Sequence, residues 1–148
     1  MEQFIEFVGH HPYLFLAFSV VSGVLIWNIL SDQITGIKSL LPQEVTLLIN
    51  HEEAIILDVR EENEYVQGHI LNSIHIPLNT LSDKIGRLEK YRNRPIIASC
   101  MSGNRSARAC STLKKNGFDK VHNLKGGVIA WQNANLPLTK GKSGSKTA

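Results

Sequence analysis

The stretch Pro95-Ile96-Ile97-Ala98-Ser99-Cys100-Met101-Ser102-Gly103-Asn104-Arg105-Ser106 decides how this chain is read. Its first part is a short, continuous apolar run, the pattern of a strand buried on both faces of a parallel sheet. The run ends in a cysteine, and a small polar loop containing Gly103 follows. A helical pattern then opens at Ser106, places Ala109, Cys110 and Leu113 at core spacing, and stops toward Gly117, a residue suited to a left-handed terminator. A thiol between a strand end and a helix N-terminus faces unpaired backbone N–H groups and the positive end of the helix dipole, both of which favour an anion. Free cysteine has a pKa of about 8.5, and comparable sites lower it to ~3.5–7.5. Cys100 is therefore the candidate nucleophile, activated by backbone geometry and not by a partner histidine. The competing reading of a lone cysteine is a buried core thiol, and that reading suits Cys110. With two cysteines in the chain, a disulfide framework has no support.

The same alternation recurs along the chain. Ala54–Val59 is a second apolar run, Val121–Leu124 a weaker third and Ile74–Ile76 a fourth. Pro42 to Asn50 reads as a helix with Val45, Leu48 and Ile49 on one face; Pro42 suits its first turn, whereas Leu41 is a poor N-cap. Leu81, Ile85 and Leu88 share the face of another helix, which Gly86 weakens. Strands alternating with helices of this length imply right-handed crossovers and a single α/β domain, whose chemistry lies beyond the carboxyl ends of the strands. Cys100 follows directly from one such strand.

Cys100 to Arg105 is a Cys-x4-Arg loop, one residue shorter than the Cys-x5-Arg phosphate cradle of cysteine-dependent phosphatases. The tighter ring suits a sulfur carried on the thiolate better than a tetrahedral phosphate. Cys100-Met101-Ser102-Gly103-Asn104-Arg105-Ser106 resembles the Cys-x-x-Gly-x-Arg-Ser loop of single-domain rhodaneses, the thiosulfate-type sulfurtransferases. Two further blocks resemble the same family. One is Asp58-Val59-Arg60, with Glu64-Tyr65, Gly68-His69-Ile70, Ser73 and Ile76-Pro77 after it. The other is Gly126-Gly127 with Trp131. The resemblance spans roughly residues 37–138. It implies a rhodanese-like fold, a five-stranded central parallel sheet flanked by helices. It also implies sulfur transfer, in which Cys100 attacks the sulfane sulfur of a small anionic donor such as thiosulfate, carries it as a persulfide and gives it to a thiol or protein acceptor.

Within the loop, Met101, Ser102, Gly103, Asn104 and Arg105 are the candidate donor-binding residues. The backbone N–H groups of Met101 to Arg105 are expected to face inward, and Ser102 and Ser106 to add hydroxyl donors. Arg105 is expected to bond loop carbonyls or the donor. By the resemblance, Asp58 braces the backbone and Arg60 lies by the pocket, so Arg60 joins the candidates for substrate binding although both residues read as structural first. No metal or organic cofactor is expected. His69 and His75 read as local hydrogen-bonding residues and Trp131 as a core plug. Met101 makes this loop less cationic than rhodanese loops with Arg or Lys beside the cysteine.

The N-terminal part is of another kind. Pro12 to Leu30 is nineteen residues without Asp, Glu, Lys or Arg, about the length of a membrane-spanning helix, with Tyr13 and Trp27 near its ends. A cleaved signal peptide would begin with basic residues, and Met1 to His11 contains none. The expected organisation is a tail at 1–11, a transmembrane helix at 12–30, a linker at 31–36, the rhodanese-like domain at 37–138 and a flexible basic tail at 139–148. All 16 Lys and Arg residues follow the apolar segment, which places the domain in the cytoplasm by the positive-inside rule, at the inner membrane if the source is bacterial. The net charge of +3 and pI near 9.0 come from basic residues scattered among acids, so nucleic acid is not an expected partner. Two other functions stay open: a phosphatase or arsenate reductase on the same scaffold, and a membrane-tethered protein-recognition module.

Overall fold

The structure is a computed structural model that describes residues 12–141, in two compact units, Met1–Gly36 and Ile37–Ala148. In the first unit, helix α1 (Pro12–Thr35) runs beyond Leu30, so most of the expected linker is helical, and Gly36 ends it with a φ of 62°. The described side chains of α1, from Tyr13 to Trp27, are mostly apolar and exposed around the whole circumference, with Leu16, Phe18, Val24 and Trp27 among them. Among the described residues no helix is long and apolar enough to cross a membrane. Tyr13–Trp27 covers about 22 Å at 1.5 Å per residue. The side chains at 28–30, the end of the expected span, and the expected tail at 1–11 lie outside the described residues.

The second unit contains β1 (Lys38–Leu40), α2 (Pro42–Glu52), β2 (Ile55–Asp58), α3 (Glu62–Gln67), β3 (His69–Ile70), β4 (Ile74–His75), α4 (Leu81–Lys84), β5 (Ile96–Ser99), α5 (Asn104–Lys115), β6 (Val121–Leu124), α6 (Gly127–Asn133) and β7 (Leu138–Thr139). Five strands form a parallel sheet in the order β1-β6-β5-β2-β4, as the resemblance implies. Its two edges, β1 and β4, are three and two residues long. Alternation along the strands builds two cores. Leu57, Ile96, Ala98 and Val121 meet Ala109, Cys110 and Leu113 of α5 on one face. Ile56, Ile97 and Leu124 meet Val45 of α2 and Trp131 of α6 on the other. The sheet is thus covered on both sides, which is why β2 and β5 read as unbroken apolar runs.

Local chemistry explains the departures from the sequence reading. Leu41 offers no side-chain cap to α2, but its N–H donates to Glu44 Oε2 at 2.7 Å, so one orphan donor is still satisfied. The helix expected around Leu81–Leu88 is one α-turn between two 3-10 segments, Leu78–Thr80 and Ile85–Tyr91. Helix α5 starts at Asn104, two residues ahead of Ser106, because Gly103 takes the cap position with φ 102°. A separate antiparallel pair, β3 with β7, carries the chain through Thr139, and the Gly141 N–H donates to the Val66 carbonyl. The tail expected from Thr139 is therefore tied down as far as Gly141, and residues 142–148 lie outside the described set.

The chain runs from β2 out to β4 on one side and returns to β5 on the other, so strand order reverses between β2 and β5. At the end of β2, Arg60 is folded back on Asp58. Nη2 lies 2.7 Å from Asp58 Oδ2 and Nε 3.0 Å from Oδ1, and Nη2 also donates to the Gly68 carbonyl at 2.8 Å. Both side chains are almost fully buried. Tyr65 is sandwiched nearby between the rings of His69 and His75, with centroids at 3.7 and 4.3 Å, and its hydroxyl donates to the Ser73 carbonyl. His69 Nδ1 and His75 Nε2 bond the Tyr65 and Arg60 carbonyls, the local role expected of them. Truncating Asp58 to Ala strands a buried guanidinium. The expected loss is about 3–5 kcal/mol, measured as a lower midpoint in denaturant unfolding; a midpoint within error of the parent would show that Arg60 finds another partner.

Candidate active site

Cys100 stands one residue past β5, at the point where the strand order reverses. The loop that follows is shaped from outside by α6. The Val128 N–H donates to the Cys100 carbonyl at 2.8 Å and the Ile129 N–H to the Met101 carbonyl at 3.2 Å. The first-turn donors of α6, which have no partner inside their own helix, thus turn those two carbonyls away from the sulfur. That approach explains Gly126-Gly127. Gly127 has φ 58°, and a Cβ there would lie 2.6 Å from the Met101 carbonyl carbon, so no side chain fits between loop and helix. On the other side, the Gly103 carbonyl accepts from the Ala107 N–H and Asn123 Nδ2. The single Ser106 hydroxyl proton has this carbonyl at 3.0 Å and the Cys100 sulfur at 3.3 Å as alternative acceptors, and a thiolate draws it to the sulfur.

With these carbonyls occupied, donors meet at the thiol. The Gly103 N–H lies 3.1 Å from Cys100 Sγ and Ser106 Oγ 3.3 Å from it. Burial pushes the thiol up and is the largest single influence. Against it act the Ser106 hydroxyl and the backbone N–H groups of Ser106, Gly103 and Ser102, and together they hold Cys100 below the ordinary thiol value. Cys110 shows the opposite balance. It is packed in the core, and burial pushes it up to about 12. The sulfur of Cys100 sits on the floor of the loop, with the residue 1% exposed. Ser102 and Asn104 are exposed above it, and Met101 is partly so.

Two of the expected site residues are placed differently. Arg105 does not bond loop carbonyls; it makes a fork with Glu64 of α3, Nη1 to Oε2 and Nη2 to Oε1, both at 2.7 Å. That pairing holds Glu64 below the usual carboxylate range and raises Arg105. Arg60 is not available to a substrate, since its guanidinium is spent on Asp58 and Gly68. Glu64, Asn123 and Gly127 carry roles that the sequence reading did not assign. Glu64 and Arg105 are 41 positions apart, so the pairing has no local signature; the signal in the sequence is Glu64's place in the Asp58–Pro77 block. Trp131 is a core plug as expected, with its indole N–H on the Pro137 carbonyl.

The hydrogen bonds on the sulfur give a signed expectation. Alkylation of Cys100 by iodoacetamide rises with pH, with its midpoint below that of a free thiol. Ser106→Ala removes one stabilising donor, so its midpoint moves upward. A midpoint that stays put, or falls, contradicts the assignment of that hydroxyl to the thiolate.

Residues 41–134 match the sequence model of the Rhodanese-like domain family. The uncharacterized protein YibN of Escherichia coli K12 is 34% identical over 143 residues, covering 96% of this chain and all of that one. A sulfurtransferase of Allochromatium vinosum is 33% identical over 91 residues, or 62% of this chain and 83% of its own. Among solved structures, a rhodanese-related protein from Thermoplasma volcanium superimposes with a TM-score of 0.63 at 32% identity, over 69% of this chain and 97% of that one. Sheet order, loop and match agree, and the chain belongs to the rhodanese-like domain family.

Proposed function

We propose that this protein is a sulfurtransferase that carries sulfane sulfur on Cys100. The observation that carries the reading is the Cys100 thiol, held below its ordinary pKa on the floor of a loop whose Gly103 amide and Ser106 hydroxyl bond the sulfur. In the first half-reaction the thiolate attacks the outer sulfur of a donor such as thiosulfate: Cys–S⁻ + S–SO₃²⁻ → Cys–S–S⁻ + SO₃²⁻. The new S–S bond replaces the one broken in the donor, and sulfite leaves with its electron pair. In the second, a thiolate of a small molecule or a protein takes the outer sulfur and restores Cys100. Met101, Ser102, Gly103, Asn104 and Arg105 form the loop around the transferred atom, and the same donors that stabilise the thiolate stabilise the persulfide anion. The chemistry needs no metal and no organic cofactor, and the reading assigns no nucleic-acid partner. Treatment with thiosulfate is expected to add one sulfur atom to the intact protein. Cyanide removes it, and Cys100→Ser never acquires it. Intact-mass spectrometry checks all three, and a parent protein that gains nothing from thiosulfate or any other sulfane donor sinks the reading.

We further propose that α1 anchors the domain in a membrane as a single pass, with the domain on the cytoplasmic side. Support comes from the nineteen uncharged residues of Pro12–Leu30, the apolar exposed circumference of α1, and the location of every Lys and Arg after it. A lysine at a span centre disfavours insertion by about 2.5–3.5 kcal/mol. The full chain is expected in the carbonate-washed membrane fraction, and V20K/V24K is expected to leave it. Recovery of the parent chain in the supernatant would rule the anchor out.

A further inference from the structure

Two arginines close to the catalytic loop, Arg60 and Arg105, are each matched by a carboxylate. Arg60 is closed on Asp58 inside the core. Arg105 is forked onto Glu64 at 2.7 Å through both nitrogens, with side-chain exposures of 34% and 24%. The exposed and partly exposed loop positions, Met101, Ser102 and Asn104, carry no charge. Glu61, the cap residue of α3, adds a further negative charge within reach of Arg105. A donor reaching Cys100 therefore meets a thiolate, a neutral loop and a neutralised arginine. For a donor with two negative charges that is a repulsive approach; for a persulfide with one or none it is not.

Building on the sulfurtransferase reading, we propose that Glu64 sets donor choice by occupying Arg105, so that the site takes sulfur from singly charged or neutral persulfide-type donors in preference to dianionic thiosulfate. For a persulfide the step is Cys–S⁻ + R–S–SH → Cys–S–SH + R–S⁻; the outer sulfur moves with its proton, and the donor leaves as its thiolate. Glu64 is a specificity residue acting through Arg105, not a group that touches the reacting atoms. Its second duty, accepting the Glu61 N–H at 3.2 Å, is one that glutamine also performs at that position. Glu64→Gln therefore keeps the helix start while removing the charge that neutralises the arginine.

The test compares thiosulfate with benzenethiosulfonate, a monoanion whose outer sulfur is transferred with loss of the sulfinate. The quantity read is the ratio of kcat/KM for the two donors, with cyanide as acceptor. Glu64→Gln is expected to raise the ratio in favour of thiosulfate at least about tenfold, through a lower KM for thiosulfate and with a gain that fades as salt is added. In Glu64→Gln/Arg105→Met the gain disappears, because the freed cation is gone. A loss of activity from structural damage would lower both donors together and leave the ratio unmoved. Sulfur transfer from both donors with an unchanged ratio in Glu64→Gln overturns this inference alone. A parent protein that prefers thiosulfate to benzenethiosulfonate also overturns it. No sulfur on Cys100 from either donor overturns the transfer reading and this inference with it.

Discussion

The hydrogen bonds from the first turn of α6 to the carbonyls of Cys100 and Met101 are the constraint on which the site rests. A backbone loop has as many acceptors as donors, so it becomes a pocket for an anion only if something removes its carbonyls from the interior. Here a helix N-terminus does so, with two donors that would otherwise lack a partner. The arrangement requires the helix to touch the loop backbone, and Gly127 is the residue that lets it approach. The Gly-Gly step and the cysteine, 26 and more positions apart in sequence, are two halves of one device.

The acidity of Cys100 follows from a contest and not from the helix dipole alone. Burial opposes the thiolate more strongly than any single donor favours it, and the site succeeds because several donors act together. Cys110, on the next helix and equally dry, lacks that set and stays a core thiol. Burial is therefore shared by the reactive and the inert cysteine; directed N–H and O–H groups separate them.

Much of this was legible from the chain. The apolar runs at Ile55–Asp58 and Ile96–Ser99 read as two-sided strands because both faces of the sheet are covered, and the cysteine lies where such a run ends. Local pattern was also enough for α2 and for most of α5. What it could not reach were features made by distant partners. The β3–β7 pair is two residues on each side, too short to show alternation. Arg105 reads as a loop cation until Glu64 is brought to it by the fold, and Arg60 reads as a pocket residue until its side chain is seen turned back on Asp58. The helical pattern begins at Ser106 in the sequence, two residues after α5 itself, because Gly103 caps the helix through its own backbone geometry, a role with no side-chain signature.

The sheet also ends abruptly on both sides. Its outermost strands are three and two residues long, so each border exposes only a few free amide and carbonyl groups. A second chain has almost nothing to zip onto there, and the interior strands Ile55–Asp58 and Ile96–Ser99, among the most β-prone and apolar parts of the sequence, are never on offer as templates. Brevity at the margins thus guards the five-stranded sheet against edge-to-edge pairing, and the exposed Lys38 on β1 adds a charge at one of them.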